Sequence, residues 1–169
     1  GLLQFAYWDR PYHLEPLLAR TMPTVTDDGL VWRFALRPGI YFADDPCFVA
    51  TAGKGREVVA RDVIYSILRI ADAKNASGGY WAYRNRIAGL DRFREASQGP
   101  APTDYDAAVE GLRALGPHEL EIRLVAPYPQ LLWVLAMPYA FVVPREAVEF
   151  YGADFAQHPV GTGPYVLAA

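Results

Sequence analysis

Four aromatic residues stand where no periodic core segment accounts for them. Tyr80, Trp81 and Tyr83 follow Ser77-Gly78-Gly79, and Tyr139 follows Pro138. A ring in a glycine- or proline-flanked loop offers a flat apolar face and, in Tyr and Trp, a hydrogen-bonding edge, which suits the wall of a ligand cleft. Such a ring equally serves to anchor its loop in the core, and the residues alone leave both readings open. At 14% of the chain, aromatics exceed what a core of this size requires.

Other reactive constellations fail on spacing. Gly53-Lys54-Gly55-Arg56 has the composition of a phosphate loop, but G-x-x-x-x-G-K-[ST] is absent and no strand runs into it, so it reads as a solvated loop. Gly161-Thr162-Gly163-Pro164 lacks the third glycine of a dinucleotide fingerprint, and Pro164 blocks the helix that would begin there; it reads as a tight turn entering a strand. His13, His118 and His158 are far apart, without the spacing that puts metal ligands on one helix or hairpin. Ser66, Ser77 and Ser97 lack a G-x-S-x-G setting, and Ser66 is expected on the polar flank of a helix. The pairs Asp27-Asp28 and Asp44-Asp45 fall in turns, where Asp is favoured for backbone reasons. Cys47 has no second cysteine to pair with and reads as a half-buried small apolar residue. The residues imply no enzyme, no metal and no cofactor.

The elements that must position the aromatics are legible from periodicity. From Val31 to Arg37, Trp32, Phe34 and Leu36 alternate with Arg33 and Ala35, the period of a strand with one face on a core. Arg37-Pro38-Gly39 turns the chain into a second extended run, Ile40 to Phe42, so a hairpin is expected to feed the next helix. Phe48 to Glu57 reads as an exposed loop lengthened by insertion. Val63, Ile64, Ile67, Leu68 and Ala71 then lie on one face of a helix expected over Asp62 to Ala73, with Asp62 near its positive end. Ile87, Leu90 and Phe93 predict a short helix. Val109 to Leu115 and Leu120 to Val125 predict a second hairpin around Gly116-Pro117-His118. Leu131 to Leu135 predict a helix ended by Pro138, and Pro144 starts another over Arg145 to Tyr151. Hairpins and separate helices, without βαβ alternation, argue an α+β fold.

Composition narrows the partners. The 169 residues, 52% hydrophobic and 21% charged, suffice for one core, so a single domain over 1–169 is expected. A net charge of -3 gives no basic footprint for nucleic acid. The longest apolar run, Leu131 to Val143, contains Pro138 and falls well short of the roughly 20 residues a membrane span needs. Gly1 to Tyr7 lacks the basic start and cleavage site of a signal peptide, while the missing initial Met and the unpaired strand expected at Tyr165 to Leu167 read as the ends of a piece excised from a longer protein.

A run of phrases then resembles one family. DGLVWRFALRPGIYFADD, ARDVIYSILR, RIAGLDRF, GLRALGPHELEIRLVAPYPQLLWVLAMP, VVPREAV and PVGTGPYVL follow, in order and through nearly the whole chain, the pattern of the extracytoplasmic solute-binding proteins of family 5, the oligopeptide, dipeptide and nickel receptors of ABC importers. Members are considerably longer. The resemblance implies one subdomain of the first lobe of a two-lobed, type II periplasmic-binding-protein fold, with 159–169 beginning the return into the central sheet.

It also implies a function: a monomeric receptor, periplasmic or extracellular and in some members lipid-anchored, that closes two lobes over a peptide or similar small solute and delivers it to membrane permease subunits. Carried over residue by residue, ligand contacts fall on Tyr80, Trp81 and Tyr83 after the first long helix, and on Met137 and Tyr139 beside the LLWVLAMP helix. Two departures stand out. Val59 replaces the Thr that usually caps that first long helix, a loss of about 1 kcal/mol unless another group substitutes, and Asp44 to Glu57 is longer than in most members. A sensory or interaction module on the same fold, and a hydrolase, are the alternative functions.

Overall fold

The computed structural model describes residues 1–26 and 28–163. The expected strand at Tyr165 to Leu167, Pro164 of the Gly161 turn and Asp27 lie outside these residues. Strands β1 (Leu3–Phe5) and β2 (Leu14–Pro16) pair antiparallel, and β3 (Thr24–Val25), β4 (Val31–Ala35), β6 (Glu119–Arg123) and β5 (Leu112–Gly116) form a four-stranded antiparallel sheet in the order β3-β4-β6-β5. Around them lie helices α1 (Ala60–Ala71), α2 (Leu90–Ser97), α3 (Leu131–Val134) and α4 (Arg145–Tyr151). The expected mixture of antiparallel pairs and separate helices is present.

Alternation in β4 sets the core face. Trp32 and Phe34 are buried opposite Ile122 and Leu120, and Leu112 continues the row on β5 beside Ile122. The other face carries the row Arg33, Glu121 and Arg113 across the same three strands. Glu121 accepts from Arg33 Nε at 2.9 Å and Arg113 Nη1 at 3.3 Å, so the two exposed arginines cover a carboxylate that is itself buried.

The expected hairpin between Val31–Leu36 and Ile40–Phe42 does not form. Both edges of β4 are taken, by β3 and β6, and Ile40–Phe42 pairs instead with 56–58: Phe42 N–H donates to the Arg56 carbonyl at 3.0 Å, Val58 N–H to the Ile40 carbonyl at 2.8 Å, and Tyr41 bridges Glu57. The inserted segment is thus the loop of a different two-stranded ribbon. Nor is it wholly exposed. Cys47 and Phe48 join the core, with Phe48 stacked on Phe42 at 6.0 Å between centroids, while Lys54 pairs at the surface with Asp44.

Helix α1 begins two residues earlier than expected and buries Ala60, Val63, Ile67, Leu68 and Ala71. Its start is held without a capping hydroxyl. Val59 has no side-chain acceptor, but Asp62 accepts from Val59 N–H at 2.8 Å, which recovers one half of a capping box. Asp62 is in turn gripped by Arg56 at 2.9 and 2.7 Å, and Arg56 reaches on to Glu146 of α4 at 2.5 and 2.8 Å. One guanidinium therefore ties the inserted loop, α1 and α4 together. Ser66, expected on a polar flank, is buried: it donates to the Asp62 carbonyl at 2.7 Å and accepts from Val143 N–H at 3.0 Å, joining α1 to the segment before α4.

Candidate functional site

The segment after α1 folds as a short 3-10 turn over Tyr80–Ala82, closed by Tyr83 N–H and Arg84 N–H on the Tyr80 carbonyl at 2.9 and 3.0 Å. Its aromatics part company. Tyr83 is fully buried, its hydroxyl without a hydrogen-bond partner among the described residues, and burial pushes that hydroxyl's pKa upward. Tyr80 is also buried; its hydroxyl donates to Asp91 of α2, and burial together with that carboxylate keeps the proton on. Trp81, between them, is 61% exposed.

The second expected contact segment follows α3. Val134 carbonyl accepts from Met137 N–H at 3.0 Å, and Pro138–Ala140 makes another 3-10 turn. Met137 is half-buried and Tyr139 is 40% exposed. The Tyr139 ring lies against Gly79, where an added Cβ would meet its Cδ1 at 2.5 Å and Cγ at 2.6 Å. Only a residue without a side chain admits this approach. The five expected positions thus fall into two groups: Trp81, Tyr139 and part of Met137 offer surface on two abutting turns, whereas Tyr80 and Tyr83 stand behind as core. For those two, the core-anchoring reading is the one their burial fits.

Residues that hold the turn had no motif to reveal them. Asp91 accepts from Asn85 N–H at 3.2 and 3.0 Å as well as from Tyr80, and Arg94 lays its guanidinium 4.2 Å from the Tyr80 ring centroid while donating to the Ala71 carbonyl at 2.9 Å. In the sequence Asp91 is simply an acid in the first turn of a helix, where its charge suits the dipole.

A cleft of about 560 Å³ lies elsewhere, between α1, α4 and the segment Tyr105–Val109, and none of the five aromatic-site positions lines it. Most of its charges already answer one another, Arg56 with Asp62 and Glu146, Arg145 with Asp106 and Glu149. Among the described residues no group of three or more His, Cys, Asp or Glu is placed to hold a metal ion. Cys47 is buried, and burial beside Asp45 pushes its thiol up to about 12.

With this geometry in view, the family model for bacterial extracellular solute-binding proteins, family 5 Middle, matches residues 13–169. The chain belongs to that family. Among curated relatives, the probable ABC transporter periplasmic-binding protein SapA of Escherichia coli K12 is 29% identical across 96% of this chain. The glutathione-binding protein GsiB of Escherichia coli O1:K1 is 30% identical across 94% of it. The chain spans only 29% and 24% of those relatives' own lengths. The structure of the Escherichia coli murein tripeptide binding protein MppA superposes on the whole chain with a TM-score of 0.75 at 25% identity, and the chain covers 29% of it. The fold is therefore the α+β fold of the periplasmic peptide-binding proteins, and the family consists of transport binding proteins.

Proposed function

We propose that this chain forms part of the first lobe of the substrate-binding component of an ABC importer. The complete protein takes a short peptide or similar small solute between two lobes, shifts from open to closed, and presents the ligand to a membrane permease. Family membership and relatives named for peptide, glutathione and ABC transport support the reading. The observation that carries the site is the seating of Tyr139 on Gly79, with Trp81 and Tyr139 on two abutting turns and both side chains partly exposed.

Such a surface contributes apolar walls and ring edges, while main-chain pairing gives affinity without reading every side chain. The chain is a partial lobe I subdomain, and the receptor works outside the cytoplasm as a monomer without turning its ligand over; a lipid anchor belongs to this reading of the complete protein. Native mass spectrometry of the full-length protein tests it. A small peptide or solute should co-purify and leave intact on denaturation. Recovery of hydrolysed fragments, or of no small molecule from any growth medium together with no binding of added peptides, contradicts it.

A further inference from the structure

Building on that reading, we propose that Asp91 is a positioning residue for the ligand face, acting through Trp81. Its carboxylate reaches the turn on both sides of Trp81: it accepts from the Tyr80 hydroxyl before it and from Asn85 N–H, at 3.2 and 3.0 Å, after it. A charged acceptor shared by two donors is a directional clasp. The clasp falls where Asn85 turns the chain at a φ of 56°, in the left-handed region that Asn tolerates better than most residues with a side chain.

Burial already anchors the turn through Ala82 and Tyr83. What burial does not determine is the direction of the exposed ring just before them. Trp81, at 61% exposure, is oriented by the backbone on either side of it, and that backbone runs from Tyr80 to Asn85 under the one carboxylate. Arg94 completes the arrangement from α2, its guanidinium carbon over the Tyr80 ring at 4.2 Å and its Nη1 donating to the Ala71 carbonyl at the end of α1. Helix α2 therefore presents a preformed turn, and a preformed turn spares the ligand the entropy of ordering it. Asp91→Asn keeps the shape but removes the charge that both donors answer, and with its oxygen at the Oδ1 place, where Tyr80 and Asn85 both donate, it sets an amide N–H₂ at the Oδ2 place, facing the Asn85 N–H that donates there at 3.0 Å. The turn stays folded and Trp81 loses its fixed direction.

The test is a double-mutant cycle in the full-length receptor, with a mixed tripeptide library as probe and retained peptide measured by mass spectrometry. Asp91→Asn should weaken retention about tenfold, the scale of one charge-assisted hydrogen bond. In a Trp81→Ala background the same change should alter retention less than about twofold, because the group through which Asp91 acts is gone. Tyr80→Phe, which removes one donor and keeps the ring, should show the same dependence on Trp81 with a smaller loss, and it serves should Asp91→Asn fail to fold. Equal losses in both backgrounds, or no loss from either variant while Trp81→Ala does weaken retention, overturn the positioning role alone. No loss from Trp81→Ala overturns the ligand face itself, and no peptide held by the unmodified receptor overturns the function proposed above; either result overturns this inference too.

Discussion

Gly79 lets the two turns of the site interlock, because the Tyr139 ring occupies the space a side chain there would need. In the substitution Gly79→Ala, the new Cβ would fall 2.5 Å from Cδ1, 2.6 Å from Cγ and 2.9 Å from Cβ of Tyr139, short of ordinary contact by about 0.9 Å at the closest point. The backbone at Gly79, φ -90° and ψ -9°, suits alanine, so the conflict is steric and lies with the ring. Tyr139 is 40% exposed and buries on the order of 100 Å². Lifting the ring to uncover half of that costs about 1.3 kcal/mol at ~25 cal/mol per Å², and a strained rotamer costs about 0.5–1.5 kcal/mol. Alanine returns about 0.4–1 kcal/mol by restricting the unfolded chain. The net expectation is a destabilisation of about 1–2 kcal/mol, together with weaker ligand binding, because the two turns separate. Urea unfolding of the full-length receptor measures the first effect and peptide titration the second. In a Tyr139→Ala background the stability loss should vanish or change sign, since the clashing ring is absent. Wild-type stability for Gly79→Ala, or an equal loss with and without the Tyr139 ring, refutes the interlock.

Other perturbations reach the framework around the site. Gly111→Ala should cost about 3 kcal/mol or more and leave little folded protein by circular dichroism, because its Cβ would meet three backbone atoms, the Arg123 carbonyl and Ala88 N and O, at 2.6–2.7 Å. Arg56→Met should cost about 2–3 kcal/mol in urea unfolding, since it strands the buried Asp62 carboxylate that it now grips. The Arg56 hydrogen bonds hold the Glu146 carboxyl below its usual range. A depressed folded pKa contributes stability above the unfolded value, about 4.3, and loses it as pH falls through the folded value; an acid titration of stability should therefore be shallower below pH ~4 in Arg56→Met than in the parent. Cys47, buried with its thiol pushed up to about 12, should resist a disulfide reagent at pH 8 in the folded protein and react promptly in denaturant.

Local patterns were legible in the sequence where one element decided the outcome. Alternation named the buried side chains of β4, helical spacing named the core face of α1, and the hairpin at Gly116-Pro117-His118 formed as its residues imply. The pairing of Ile40–Phe42 was not legible, because the edges of β4 were taken by β3, just upstream, and by β6, nearly ninety residues downstream, and nothing local announces that competition. Burial of Ser66 depended on Val143, and burial of Phe48 on Phe42, again partners that a single stretch does not reveal. The aromatic loop shows the same limit at the site. Glycine flanks told that Tyr80, Trp81 and Tyr83 left the periodic core, but not that two of the three rings turn back into it. Asp91 distinguished itself only through its distance from Tyr80 and Asn85.

Hydroxyl-radical footprinting of the full-length receptor, with and without bound peptide or its co-purifying solute, tests the ligand face most directly. Trp81 and Tyr139 should be oxidised in the free protein and protected in the complex. Trp8, 89% exposed on the tip between β1 and β2, supplies a reference that stays reactive, and buried Tyr83 should stay unreactive in both. Equal oxidation of Trp81 and Tyr139 in the free and bound states, with protection appearing on another surface, would contradict the placement of the ligand on these two turns.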